Sequence, residues 1–507
     1  MVEVDPPSAE GSPLASNETA VVEKKTEVTN LPALPAKVLS LITTLLHDHD
    51  DRINLASACR QLRSVLIPSA FASISANINS PWELSTLVYL FLANSGLGAA
   101  VKSLSLTKSK CKQSGELKFD EDRMDPVLRN LADTKRQAGK WRDSLLGQSP
   151  RDKERQNDAW AAILLTLFPN LENLEMDWAP PRDYRVRVME TAINRSYPPD
   201  TQPPFRRLTR VVIPAWKYGR SPLLASEALK FFQTLSLREF SCHGILDDFM
   251  DRAPGDKKDI TPYTTITHLT LRHSNSDGGF VELISACERL ETFIYENASF
   301  LTMGEPWNPP AIYKSLLRHK SSLTEIQIYD KGGPRPIGSH EHDYFGSLDE
   351  FLGLTNLRIP AGNILDWNMS TKESRNWLGG VLPPGLQSLS IDGFNKCPNP
   401  ICLIEQLEDL MRNKFLGSPL YLLDQLEIRG SFLDCTYYKP GEPLSNFKFI
   451  ERGMQAAAAL LALQCSSNGV AFTVVDSMME NIPGCESALV PKECYTEPLR
   501  ALSPSFF

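Results

Sequence analysis

One short pattern returns ten times along this chain and constrains its fold more than any other feature. An apolar residue is followed by two variable ones, an apolar, a variable and an apolar. It reads VKSLSL from Val101, LENLEM from Leu171, LTRVVI from Leu208, LREFSC from Leu237 and ITHLTL from Ile266. It continues as LETFIY from Leu290, LTEIQI from Leu323, LTNLRI from Leu354, LQSLSI from Leu386 and LDQLEI from Leu423. Side chains on a strand alternate faces, so the last two anchors of each match point one way and the residue between them points the other. A unit this small cannot bury its anchors by itself; it must stack on its neighbours. Between most matches lies a helix-like segment, among them SPLLASEALKFFQTL, FVELISACERL, AIYKSLLRHK and ICLIEQLEDLMRNKF.

A short strand followed by an amphipathic helix, repeated, resembles a leucine-rich-repeat solenoid. The resemblance implies an α/β solenoid with a parallel, concave sheet. The periods are irregular and mostly longer than the roughly 20–29 residues of regular repeats. In this register Leu269, Ile326 and Leu357 point inward, while Arg210, His268, Thr270, Gln327 and Arg358 stand on the concave face. The solenoid is expected over residues 72–475. FASISANI, from Phe71, opens it as a strand with Ile74, Ala76 and Ile78 on one face, and Ser80-Pro81-Trp82-Glu83 reads as a capping box for the next helix. An Ala- and Leu-rich helix over Phe449–Gln464 and a strand over Ala471–Val475 close it. Two segments break the pattern. Residues 107–158 carry many charges of both signs and few apolar residues, among them Trp141 and Leu145, and read as a charged insertion on the solenoid's edge. Residues 476–507 read as a cap and tail, and residues 1–30, rich in Pro, Ser and Glu, as a disordered tail.

Residues 31–71 follow different rules. Behind Pro35, residues Val38, Leu39, Ile42, Leu45 and Leu46 recur at helical spacing. A polar run, His47 to Asp50, breaks the pattern, and Asp51 is placed to cap a second helix. That helix carries Leu55, Cys59, Leu62 and Leu66 before Pro68, which is expected to stop it. Two short helices this rich in aliphatic residues bury too little among themselves, so part of the stripe should meet another protein.

Leu34-Pro35, Val38-Leu39, Ile42, Leu45, Leu55, Cys59-Arg60, Leu62-Arg63 and Leu66, with trailing Pro68 and Phe71, resemble the F-box family in its fungal form. Lys37 stands where the family usually has an acidic residue and Leu62 where it often has an aromatic; neither change removes an apolar contact. The resemblance implies a helical module that docks on the Skp-type adaptor of a cullin-RING ubiquitin ligase. Leu34, Pro35, Val38, Leu39, Ile42, Leu45, Leu55, Cys59, Leu62 and Leu66 would make the contact. The solenoid would then be the substrate receptor. The competing reading is a leucine-rich-repeat scaffold with no ubiquitin-ligase role, its first helices serving only as a cap.

The chemistry of a catalyst is hard to find. Neither a phosphate-binding glycine loop nor a Gly-x-Ser-x-Gly elbow is present. His340-Glu341-His342 and the pair His47 and His49 have metal-binding residue types, but solvated histidines explain them more simply. The expectation is therefore a non-enzyme without cofactor or metal. The ten cysteines form no framework and are expected to be reduced thiols. A net charge of −8 argues against a general nucleic-acid binder. The two most apolar runs, Leu84–Leu92 and Met454–Leu463, are too short to cross a membrane, and no secretory signal is read in the opening residues. The expected location is cytoplasmic or nuclear. Aromatic residues leave several strands: Trp178, Trp216 and Tyr218, then Tyr329 and Trp367. In a parallel solenoid these loops share a rim, so they are expected to capture substrate together with Arg210, His268 and Arg358.

Overall fold

A computed structural model describes residues 34–46, 49–108, 117, 119–132, 134–147, 153–178, 180, 182–194, 204–214, 222–248, 261–276, 278–297, 308–330, 343–414, 420–433, 449–477, 479, 488–492 and 494–495. The chain divides into two compact units, one ending at Ala70 and the other beginning at Phe71.

The first unit has three helices where the sequence suggested two: α1 (Ala36–Leu45), α2 (His49–Ser57) and α3 (Arg60–Ala70). Asp51 lies inside α2 instead of capping it. The break falls at Ala58-Cys59, where the Cys59 thiol accepts the Leu62 N–H at 3.4 Å and so caps α3. Pro68 does not end α3; it sits in the last turn, two residues before Ala70. Leu39, Ala56, Leu62 and Leu66 form the buried centre, with Leu34, Ile42, Leu55, Cys59 and Ile67 packed around them. Arg52 Nε joins α2 to the end of α1 by donating to the Leu46 carbonyl at 2.7 Å.

The second unit is built on strands. They are β1 (Ser73–Asn77), β2 (Ser103–Thr107), β3 (Asn173–Met176), β4 (Arg210–Ile213), β5 (Leu223–Leu224), β6 (Glu239–His243), β7 (Ile245–Leu246) and β8 (His268–Ser274). Then come β9 (Thr292–Asn297), β10 (Glu325–Asp330), β11 (Asn356–Pro360), β12 (Trp367–Asn368), β13 (Glu373–Ser374), β14 (Ser388–Asp392), β15 (Gln425–Gly430) and β16 (Ala471–Asp476). Twelve of them form one sheet in chain order, from β1 to β16, while β5 with β7 and β12 with β13 make small separate pairs. Every pairing in the large sheet is parallel, and the anchors stay in phase from strand to strand. Leu174 meets Val211, then Phe240, Leu269, Phe293, Ile326, Leu357, Leu389 and Leu426 in one continuous row. All ten sequence matches are strands of this sheet, and their anchors are buried. Hydroxyls placed just before the first anchor tie successive units together. Ser236, Thr265 and Ser322 donate to the carbonyls of Leu208, Leu237 and Leu290 at 2.9, 3.0 and 2.7 Å. These bonds satisfy carbonyls that would otherwise be stranded where the chain turns into each strand.

The helices of this unit are α4 (Pro81–Ala93), α5 (Ser95–Ala100), α6 (Glu121–Leu131), α7 (Lys135–Leu146), α8 (Lys153–Thr166) and α9 (Asp183–Ile193), followed by α10 (Ala225–Phe232), α11 (Val281–Ala286), α12 (Pro309–Leu316), α13 (Pro400–Asn413) and α14 (Arg452–Ser467). At α4 the capping box is half formed. Ser80 Oγ accepts from Glu83 N at 3.3 Å, but the Glu83 carboxylate reaches past Ser80 to Asn77 N at 3.0 Å. The described helices of residues 107–158 are not an edge insertion. Met124, Leu128, Trp141 and Leu145 on α6 and α7 are buried in the core, and α8 is buried from Gln156 to Leu165. The charges cover the outer faces of these helices, which is why the segment looked loose by composition. At the far end β16 is covered. Leu489 bridges Val475 in antiparallel fashion, and buried Tyr495 sits edge-on to Phe472 at 6.1 Å.

Candidate functional site

On each strand the anchors face the helices, and the residues between them lie on an open face of partly exposed side chains. Most of that face is neutral or carries isolated pairs. Arg210 and Glu239 meet at 3.3 Å, both about half exposed, and His268 is exposed beside its own Thr267. A surface pair of this kind contributes little.

Toward the strand ends the face becomes organised. The residue after the last anchor is Arg272 on β8, Glu296 on β9, Tyr329 on β10, Asp392 on β14 and Arg429 on β15. Strand spacing of about 4.8 Å sets these side chains in a line across the sheet. On β11 that position is Pro360, and Arg358, two residues earlier, reaches into the line. Its guanidinium grips Asp392 with two bonds, Nε to Oδ2 at 2.7 Å and Nη2 to Oδ1 at 3.0 Å. Such a fork fixes orientation as well as charge. The same guanidinium stacks on Tyr329, 4.1 Å from the ring centroid. Arg429 approaches Asp392 from the other side at 3.1 Å and reaches Glu427 at 2.9 Å, and Ser390 Oγ donates to Glu427 at 2.8 Å. The Tyr329 hydroxyl donates to the Gln327 side-chain carbonyl. Burial pushes the Asp392 carboxyl up, against the pull of Arg358 and Arg429, and burial likewise raises the Tyr329 phenol.

A β-bulge starts the line. Leu271 pairs with Tyr295 and Ser274 with Asn297, so Arg272 and His273 together oppose the single residue Glu296. His273 takes the left-handed conformation, φ 47°, to do so. Its Nδ1 lies 3.2 Å from the buried Glu296 carboxylate, Arg272 lies 4.0 Å away, and the His243 ring is 5.7 Å from that of His273. The result is a fixed row of alternating charge with an aromatic at its centre.

Among the described residues the expected rim of aromatics does not form. Trp178 is buried against Phe231, with ring centroids 4.8 Å apart and the Arg185 guanidinium over its ring. Trp367 is buried in the β12–β13 hairpin, its Nε1 donating to the Ala361 carbonyl at 3.3 Å. Both fill long loops from inside, where a large ring repays burial best. Tyr329 belongs to a strand and lies on the open face; Trp216 and Tyr218 are outside the described residues. The structure therefore brings Tyr329 and Arg358 together and leaves Arg210 and His268 apart from them. Sequence reasoning missed Arg272, Glu296, Asp392 and Arg429. Their signal was the position after the final anchor, which reads Arg, Glu, Tyr, Pro, Asp, Arg from β8 to β15.

The first unit needs a similar correction. Leu39, Leu62 and Leu66 are core residues and cannot meet a partner in the folded unit; Ile42, Leu55, Cys59 and Leu34 are half-buried around them. Pro35 is exposed, and so are Val38 (38%), Leu41 (65%) and Leu45 (74%), spaced by three and four along α1. Leu41 was not singled out by the motif. Among the described residues no cluster of His, Cys, Asp or Glu is arranged to hold a metal, and no helix is long and apolar enough to cross a membrane. His340, Glu341, His342 and His47 lie outside them.

A family model described as a leucine-rich repeat domain matches residues 127–412, so the chain belongs to the leucine-rich-repeat proteins. No curated protein matches it.

Proposed function

We propose that this leucine-rich-repeat protein is a non-catalytic receptor of the cytosol or nucleus. In this reading it holds a protein partner on its open sheet face and docks its N-terminal helices on the Skp-type adaptor of a cullin-RING ubiquitin ligase. Its contribution to catalysis is proximity and orientation, and it makes and breaks no covalent bond itself.

The observation that carries the first half is the Tyr329–Arg358 stack, locked by Asp392 in the middle of the open face. Tyr and Arg are the residues in which interface energy concentrates, and side chains held rigid before binding lose little entropy on it. Tyr329→Ala is expected to weaken the partner captured by proximity labelling by about 2 kcal/mol or more, roughly thirty-fold in affinity. The circular dichroism spectrum should not change. Undiminished capture would mean that this face does not hold the partner.

The second half rests on the F-box-like residues and on the exposed stripe Val38, Leu41 and Leu45. Placing glutamate at both Leu41 and Leu45 should abolish adaptor pull-down with the helices intact, because a charge would be buried without a partner at the interface. Leu39→Glu is expected to abolish it for another reason, by unfolding the unit from its centre. Should the intact chain fail to capture the adaptor while Tyr329 still governs partner binding, the protein is a repeat scaffold with no ligase role.

A further inference from the structure

We infer that a hollow where β14 and β15 end and α13 and α14 begin binds a large apolar side chain of a partner segment that carries a basic residue next to it. The site is separate from the open face, and neither proposal depends on the other.

The hollow has a volume of about 230 Å³ and is lined by Phe394, Phe432, Phe449, Ile450, Glu451 and Met454 among others. Its floor is a row of phenyl rings, with Phe394 6.3 Å from Phe432 and Phe432 6.1 Å from Phe449. The walls are held from behind. The buried carboxylate of Asp476 accepts the backbone N–H groups of Phe432 and Leu433 at 2.9 and 2.8 Å, and Ile450 N donates to the Phe432 carbonyl at 2.8 Å. Leu433 and Phe449 also pair as an antiparallel bridge. The hollow is thus formed before anything enters it, as small-ligand sites usually are.

Size and charge select the occupant. An apolar cavity near 150 Å³ accepts benzene, so this one has room for a phenyl ring or a branched aliphatic side chain. At its lip Ile450 is 59% exposed, and Ile401, close by across Gly453, is 44% exposed. Apolar residues turned outward around an apolar hollow extend the contact to the neighbouring parts of a ligand. Among the described lining residues Glu451 is the one that carries a charge; it is exposed and makes no side-chain capping bond to the helix it precedes. Its carboxylate is therefore available to a cation beside the apolar anchor.

Titration of the full chain, labelled at isoleucine δ1 methyls, with the peptide acetyl-Gly-Phe-Lys-Gly-amide tests this. Saturable shifts are expected at Ile450 and Ile401. The Ala-Lys peptide should produce none, and the Phe-Glu peptide should bind about tenfold more weakly. Met454→Trp, which fills the hollow, should abolish the shifts. Should that variant fail to fold, Glu451→Gln, a change at an exposed site, still decides by removing the preference for Phe-Lys over Phe-Glu. The proposal falls if Phe-Lys leaves both methyls unmoved, if Ala-Lys moves them equally, or if Phe-Glu binds as tightly as Phe-Lys.

Discussion

Replacing Arg185 by alanine is expected to cost the second unit about 3–5 kcal/mol, the penalty of leaving a buried charge without its partner. Arg185 Nε meets Asp158 Oδ1 at 2.5 Å with the two side chains only 3% and 1% exposed. Arg185 Nη1 also donates to the Asp177 carbonyl at 2.6 Å, and the guanidinium lies 5.3 Å from the centre of the Trp178 ring. Asp158 Oδ2 accepts Tyr184 N at 2.8 Å, so this one pair fastens α8 to α9 and to the end of β3. Burial already pushes the Asp158 carboxyl up, and Arg185 is the chief opposing influence. Without its side chain only the backbone N–H groups of Tyr184 and residue 185 still oppose burial. A carboxyl raised in the folded state favours folding at pH below its unfolded value, and that advantage is lost as pH rises. The deficit of Arg185→Ala should therefore be larger at neutral pH than near pH 4, about the unfolded value of an aspartate. Guanidinium unfolding at the two pH values measures it. A pH-independent loss would mean that packing, not the orphaned charge, is responsible. The double variant Asp158→Leu, Arg185→Met should recover most of the loss, since apolar replacement of a whole buried pair is often neutral.

The pair also shows where the sequence stops being legible. Asp158 ended what reads as a charged insertion, and nothing in local composition marks it for burial beside Arg185, 27 residues on. The ladder was legible because each anchor obeys a two-residue rule that neighbouring repeats enforce. Phe293 and Leu426 are as predictable as Leu269, since all three hold one row. The open-face line was half legible. Arg358 and Tyr329 stood out by residue type, but Asp392 and Arg429 become partners only when β14 and β15 are set beside β11, which a single chain does not reveal. The aromatic rim failed for a plainer reason. A tryptophan in a long loop has two ways to leave water, and Trp178 and Trp367 take the one inside the fold. In the first unit the apolar stripe was legible as a stripe. Its division into buried Leu39 and exposed Leu41 and Leu45 depended on a third helix that the pattern did not show.

The register behind these assignments carries its own test. Leu269→Ala is expected to cost about 2–5 kcal/mol, and Thr270→Ala, one residue on, no more than about half a kcal/mol. Leu269 is fully buried between Phe240 and Phe293 in the anchor row, whereas Thr270 lies between Ser241 and Ile294 on the open face. Strands in register on both sides hold the cavity open, so the lost methyl groups would not be refilled. Gln327 and Arg358 share Thr270's face but make poor controls, because Tyr329 and Asp392 bond to them. Stability here is a sum over stacked repeats, so the Leu269 lesion should open β6, β8 and β9 first. Hydrogen exchange should therefore quicken in those strands before it does in β14 and β15. A larger loss at Thr270 than at Leu269 would mean that β8 is slipped by one residue. That slip would turn Arg272 toward the helices and break the charged line at its first member.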